Sequence, residues 1–153
     1  MSWDTLHPIV IHFPIALLLI APVLVVLSLW RKSHRGGYAE AALVLMLIGT
    51  AFSFVAVSTG KAAEEVVERN DKLEQALDAH ADMAEAVPWV FLALTAAYAS
   101  LISPMFLRSA FAAGWNMRLH ALFLLLYAAG GGWLGLAAHR GGLLVHQLGV
   151  HAW

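Results

Sequence analysis

The sequence lacks cysteine and has few charged residues. None of its 153 residues is Cys, and Asp, Glu, Lys and Arg together make up 12%. Without Cys there is no disulfide, no Cys-ligated iron–sulfur cluster, no covalently attached c-type haem and no thiolate nucleophile. The net charge is −1, and no basic patch is present to neutralise the phosphates of a nucleic acid. Charged residues supply about a quarter of a typical soluble domain, so the composition also excludes an ordinary water-soluble protein.

Apolar residues are abundant instead, at 61% of the chain, and the mean hydropathy is +0.74. Four apolar stretches approach or exceed the length that a membrane-spanning helix needs, about 20 residues. They are residues 9–30, 41–59, 86–106 and 119–138. The first ends in Leu-Trp-Arg-Lys rather than in small residues, so we expect it to be retained and not cleaved as a signal peptide. The sequence predicts one membrane domain over residues 1–153, an all-α four-helix bundle of up-down-up-down topology.

The stretch between the second and third apolar segments is acidic and amphipathic. It carries eight carboxylates, and both its acidic and its apolar residues recur at helical spacing. The pattern predicts a separate amphipathic helix over about residues 61–82, lying on the membrane surface. His80 is three residues after Leu77 and four before Ala84, both on the apolar stripe, so we expect its side chain to face protein.

The charges of the connecting loops distinguish the two sides of the bundle. The connections after the first and third segments contain Arg31, Lys32, Arg35, Arg108 and Arg118. Because basic loops are retained in the cytoplasm, both termini and the acidic helix are predicted to face the opposite side. In a bacterium, this topology places the chain in the inner membrane with both termini in the periplasm.

The same topology sorts the eight histidines by membrane side. Six fall near the outer face: His7, His12, His80, His139, His146 and His151. An ionisable group inside the bilayer is costly unless it is paired or bound, and His12 lies about one turn inside the first apolar segment. It is therefore expected either to bond a carbonyl freed by Pro14 or to ligate a metal or a haem.

Histidines from three predicted helices lie near the outer face and form a layer there. Such a layer can hold a transition metal, or a haem between two imidazoles. The candidate ligands of a haem or a metal are His12 and His80, and His139 and His7 are alternates for the haem. Each also has a structural alternative. His80 can bond a neighbouring helix end, His139 can interact with a helix dipole, and His7 before Pro8 can mark a helix entry.

One stretch of the chain resembles a known family. Residues 7–17 read His-Pro-Ile-Val-Ile-His-Phe-Pro-Ile-Ala-Leu. They resemble the opening signature of small bacterial four-helix membrane proteins, the domain of unknown function 2231. Further similarities follow in order: Gly60 ends the second segment, His80 precedes the third, and His139 is followed by Gly141-Gly142-Leu143-Leu144-Val145 and Gly149-Val150.

The resemblance covers essentially the whole chain, with one departure near its end. The family pattern has Tyr after the Val and a His before the final Gly-Val, where this chain has His146 and Leu148. The resemblance implies the fold and topology but no established activity. The association of relatives with c-type cytochromes and Rieske-type proteins points to respiratory electron transfer.

Three functions are compatible with these patterns. The first is a haem b-binding protein that transfers electrons near the periplasmic face, with a periplasmic cytochrome or quinol as partner. The second is a copper or zinc binding or transport protein that uses the same histidines, although the absence of Cys disfavours copper transport. The third is a cofactor-free structural subunit of a membrane complex, such as a respiratory complex. The chain, in contact with the lipid bilayer, could also form homo-oligomers, and nothing predicts an enzyme that acts alone.

Overall fold

The computed structural model describes residues 3–65, 67, 71–106 and 117–148, and almost all of them are helical. The helices are α1 (Trp3–Val10), α2 (His12–Trp30), α3 (Arg35–Glu65), α4 (Asp71–Phe106) and α5 (Met117–Leu148), with a 3-10 turn at Lys32–His34. Four helical segments are long and apolar enough to cross a membrane: His7–Trp30, Lys32–Glu65, Leu73–Ser103 and Met117–Gln147. The prediction of an all-α, four-helix membrane bundle is confirmed.

The first predicted span consists of two helices that meet at Ile11. Pro14 has no backbone N–H, so the carbonyl of Val10 loses its helical partner at this point. Ile11 nevertheless keeps helical dihedral angles, φ −61° and ψ −31°, and its N–H donates to the carbonyl of His7 at 3.1 Å. The chain therefore continues from α1 into α2 with a local break rather than a loop.

The acidic stretch is not a separate surface helix, which corrects that part of the prediction. Its first residues extend α3 to Glu65, and from Asp71 onward it forms the first turns of α4. Helical spacing predicts helix correctly but does not locate breaks, and α4 continues through Pro88. With 31 and 36 residues, α3 and α4 extend roughly 47 and 54 Å, beyond the roughly 30 Å of a bilayer core.

Side-chain bonds link helices across the buried core. Between α3 and α2, Arg35 Nε donates to the carbonyl of Ser28 at 3.3 Å. Between α3 and α4, the hydroxyls of Thr50 and Thr95 lie 3.1 Å apart. Between α5 and α2, Tyr127 OH donates to the carbonyl of Leu18 at 2.8 Å. The last bond has a clear cause. Pro22 has no N–H, so the Leu18 carbonyl four residues earlier has no helical donor, and the buried Tyr127 supplies one.

The two halves of the bundle share one packing pattern. In α3, Gly49 faces Leu18 and Gly60 faces His7; in α5, Gly130 faces Leu94 and Phe91, and Gly141 faces His80. In both halves the two glycines are eleven residues apart. The residues that they face have the same spacing, because His7 and Leu18 are eleven residues apart and so are His80 and Phe91. The packing of α1 and α2 against α3 therefore repeats in the packing of α4 against α5.

Candidate cofactor-binding site

A cavity of about 460 Å³ opens between α1, the end of α3, the start of α4 and the end of α5. Its walls are mostly apolar and include Pro8, Ile11, Val57, Leu77, Ala84 and Leu134. Among the described residues, α1 has close backbone contacts with α2 and α3 but with neither α4 nor α5. The cavity therefore separates α1 from the second half of the bundle.

His7 lies on the α1 wall of this cavity. Its Nδ1 is 3.0 Å from the carbonyl oxygen of Ala56 and 3.1 Å from the hydroxyl oxygen of Thr59, both in α3. A carbonyl only accepts, so Nδ1 carries the hydrogen and the neutral ring has its lone pair on Nε2. The ring also packs on Gly60, where an added Cβ would lie 3.0 Å from His7 Cε1. A larger residue at position 60 would displace the imidazole.

His80, on α4, is held in the same way. Its Nδ1 donates to the carbonyl of Ala137 in α5 at 3.0 Å, which again leaves the lone pair on Nε2. An added Cβ at Gly141 would lie 2.9 Å from His80 Cε1. The half-buried side chain faces neighbouring helices, as the apolar stripe predicts.

The two anchoring arrangements share one pattern. Each histidine donates to the carbonyl of an Ala and packs on the Gly four residues later, Ala56 with Gly60 and Ala137 with Gly141. Residues four apart share a helix face, so a single face provides both the acceptor and the space for the ring. The two imidazoles line the same cavity. The site thus presents two fixed imidazoles to one apolar space.

The other two predicted ligands are placed differently. His12 lines the cavity but is exposed, and its Nδ1 donates to the carbonyl of Pro8 at 2.7 Å. That carbonyl is not the one that Pro14 frees, which belongs to Val10. His139 is exposed on α5 and is not among the residues lining the cavity. The structure thus brings His7, His12 and His80 to one cavity.

Charged side chains also line the cavity. Lys61 Nζ lies 2.9 Å from Glu85 Oε1, and this ion pair joins α3 to α4 with both side chains more than half exposed. Glu64 also lines the cavity and is partly buried there. His146 lines the same cavity.

Nitrogen ligands that come in a pair suit some cofactors better than others. No group of three or more His, Asp or Glu side chains suited to a metal ion occurs in the part of the chain that the structure describes. Zinc takes four ligands in structural sites and three protein ligands in catalytic ones. Two imidazoles are sufficient as axial ligands of a haem, whose four other iron ligands belong to the macrocycle.

The family model of predicted membrane proteins known as domain of unknown function 2231 matches residues 3–153. The chain belongs to this family. The resemblance seen in residues 7–17 is therefore confirmed, and the family description agrees with the four membrane-spanning candidates. No curated protein and no solved structure matches the chain.

For this member of the 2231 family, the structure adds contacts that sequence reasoning missed. The signature histidine His7 bonds α3, and the glycines Gly60 and Gly141 each pack on an imidazole. The signal available in the sequence was the Ala-x-x-x-Gly pattern, which occurs at residues 56–60 and again at residues 137–141. On its own, that pattern is typical of ordinary helix packing in membrane proteins.

Proposed function

We propose that this membrane protein binds a b-type haem between His7 and His80 and transfers electrons near one face of the membrane. One observation carries the proposal: two imidazoles, each with Nδ1–H bonded to a carbonyl, line the same apolar cavity of about 460 Å³. Four-helix bundles build cofactor sites from side chains on facing helices in this way.

The cavity suits an organic cofactor better than a lone ion. Its volume lies within the roughly 300–1,000 Å³ of small-molecule and cofactor pockets. Apolar walls lower the local dielectric and exclude water, and both effects tune a redox potential. When bound, a haem supplies a one-electron couple; the protein supplies ligation, burial and tuning.

The carbonyl acceptors have a chemical consequence for ligation. A hydrogen bond from the non-ligating ring nitrogen fixes the tautomer and the ring orientation and makes the ligating nitrogen more basic. Ala56 and Ala137 provide such acceptors for His7 and His80. Stronger imidazole donors favour the oxidised iron, so these bonds should lower the haem potential relative to histidines without acceptors.

The membrane side and the partners form the finer part of the proposal. Arg31, Lys32, Arg35 and Arg118 lie at the end of the bundle away from the cavity. The positive-inside rule assigns that end to the cytoplasm, so we place the cavity at the periplasmic face of a bacterial inner membrane. A periplasmic cytochrome or quinol would then exchange electrons with the haem.

The proposal is tested by absorption spectroscopy of the protein purified in mild detergent after expression with ample haem. We expect a Soret band in the oxidised protein and sharp α and β bands after dithionite reduction. His7→Ala and His80→Ala should each lose the six-coordinate low-spin spectrum. His12→Ala and His139→Ala are matched controls and should keep it.

Two other results would contradict the proposal. A flat visible spectrum in the wild-type protein would exclude haem binding, and elemental analysis of the same sample would then separate a copper or zinc site from a cofactor-free subunit. A haem spectrum lost in His12→Ala but unchanged in His7→Ala would move the ligand to the residue that the sequence alone favours.

A further inference from the structure

The two proposed ligands differ in the helix that carries them. His80 lies in the interior of α4, which packs along both α3 and α5. His7 lies in α1, a helix of eight residues that meets α2 at the break around Ile11. In the described part of the chain, α1 has close backbone contacts with α2 and α3 but not with α4 or α5. The first ligand therefore depends more on local bonds for its position.

Thr59 provides such a bond. Its side chain is fully buried, and its hydroxyl oxygen lies 3.1 Å from His7 Nδ1. The same hydroxyl donates its hydrogen to the carbonyl of Ala56 at 3.0 Å. Its oxygen therefore accepts the hydrogen bond from the imidazole. The Nδ1–H of His7 is therefore shared between two acceptors, the carbonyl and the hydroxyl.

The described residues of the second half form no equivalent of this bond. Thr59 directly precedes Gly60, and the residue that directly precedes Gly141 is Arg140. Arg140 Nη1 donates to the carbonyl of Ala79 at 3.1 Å, and the hydrogen-bond partner of His80 Nδ1 is the Ala137 carbonyl. The extra acceptor thus occurs on the side where the ligand is carried by the short helix.

We propose that Thr59 is a positioning residue that fixes the imidazole of His7 and, through it, anchors α1 to α3. The anchoring of α1 follows from these contacts with or without a cofactor. Its effect on a haem rests on the proposed function. If haem is bound as proposed, loss of the anchor would weaken ligation by His7 and would leave that position open to a small exogenous ligand such as carbon monoxide.

The first test is hydrogen–deuterium exchange of the detergent-solubilised full-length protein, read by mass spectrometry. Thr59→Val keeps the side-chain volume and removes the acceptor. We expect exchange in α1 to rise about five- to tenfold, as for the loss of one ordinary hydrogen bond. Thr59→Ser retains a hydroxyl and should restore exchange close to wild type. Thr95→Val is the matched control, because it loses a buried hydroxyl bond to Thr50 far from α1.

The second test uses haem-loaded protein. Thr59→Val should convert part of the ferric haem from low to high spin and raise the fraction of ferrous haem that binds carbon monoxide by about five- to tenfold. Unchanged exchange in α1 of Thr59→Val would overturn the anchoring role, and so would a rise spread equally over all helices. A wild-type protein that binds no haem would instead overturn the proposed function, and the exchange result alone would then decide the role of Thr59.

Discussion

The contacts between α2 and α3 and those between α4 and α5 have the same spacing along the helices. The side chains at the equivalent positions differ in size. Where α3 has Ala42 and Met46, the equivalent buried positions of α5 hold Phe123 and Tyr127. Tyr98 of α4 stacks on Phe123 at 5.1 Å between ring centroids. The glycines and the carbonyl acceptors recur while the bulk around them changes. The two halves therefore share the contacts that hold each imidazole. The side chains packed between the helices differ with the space available to them.

The largest effect is expected from a substitution that displaces the imidazole of His80 and leaves that of His7 in place. Gly141→Leu introduces a Cβ 2.9 Å from His80 Cε1, so the ring must move from its place against Ala137 O. Loss of such a supporting arrangement typically weakens binding about 10- to 100-fold. On the haem-binding function proposed above, we expect the affinity to fall by at least about tenfold in a haem titration. Gly135→Leu on the same helix is the control, because nothing lies within 4 Å of an added Cβ there. Equal affinity in the two variants would contradict the role of Gly141.

A smaller effect is expected from the bond that joins the two halves. Tyr127→Phe leaves the Leu18 carbonyl buried without a donor, which should lower the free energy of unfolding by about 1–3 kcal/mol. Pro22→Ala restores a backbone N–H to that carbonyl. In the Pro22→Ala background, Tyr127→Phe should therefore cost much less. Unfolding in detergent measures all four proteins of this cycle, and equal costs in both backgrounds would refute the explanation.

The smallest effect distinguishes the two glycines at the middle of the bundle. Gly49→Ala places a Cβ 2.8 and 2.9 Å from Leu18 Cγ and Cδ2, and Leu18 is fully buried. Such overpacking costs about 1–3 kcal/mol, offset by up to about 1 kcal/mol from the helix preference of Ala. We expect a net loss of stability of about 1 kcal/mol in Gly49→Ala and a smaller change in Gly130→Ala, whose nearest atom is the flexible end of Leu94 at 3.0 Å. Thermal unfolding should rank them in that order.

Much of the fold could be predicted from the sequence because the signals are local. Apolar length identifies a spanning helix, and the stripe of Leu77 and Ala84 correctly turns His80 toward protein. The break at Ile11 and the continuity of α4 could not be predicted as well. A proline weakens a helix without fixing where it bends, and an amphipathic stretch can continue a spanning helix or lie apart from it.

The candidate site was harder to predict, because it depends on contacts between distant residues. His7 meets Ala56, and His80 meets Ala137, across 49 and 57 positions of the chain. Nothing local distinguishes those two carbonyls from any other in α3 or α5. The internal repeat is also hidden, because it rests mainly on one Ala and two Gly in each half, while the surrounding side chains differ.

The gap between α1 and the second half has a thermodynamic consequence. In the described structure, α1 has no close backbone contact with α4 or α5, so a molecule held by both His7 and His80 would form a bridge across the gap. A ligand that binds only the assembled protein raises its free energy of unfolding by an amount set by the ratio of ligand concentration to Kd, about 2.7 kcal/mol at 100 times Kd. The melting temperature would then rise with the logarithm of cofactor concentration and report the affinity without any optical signal from the cofactor.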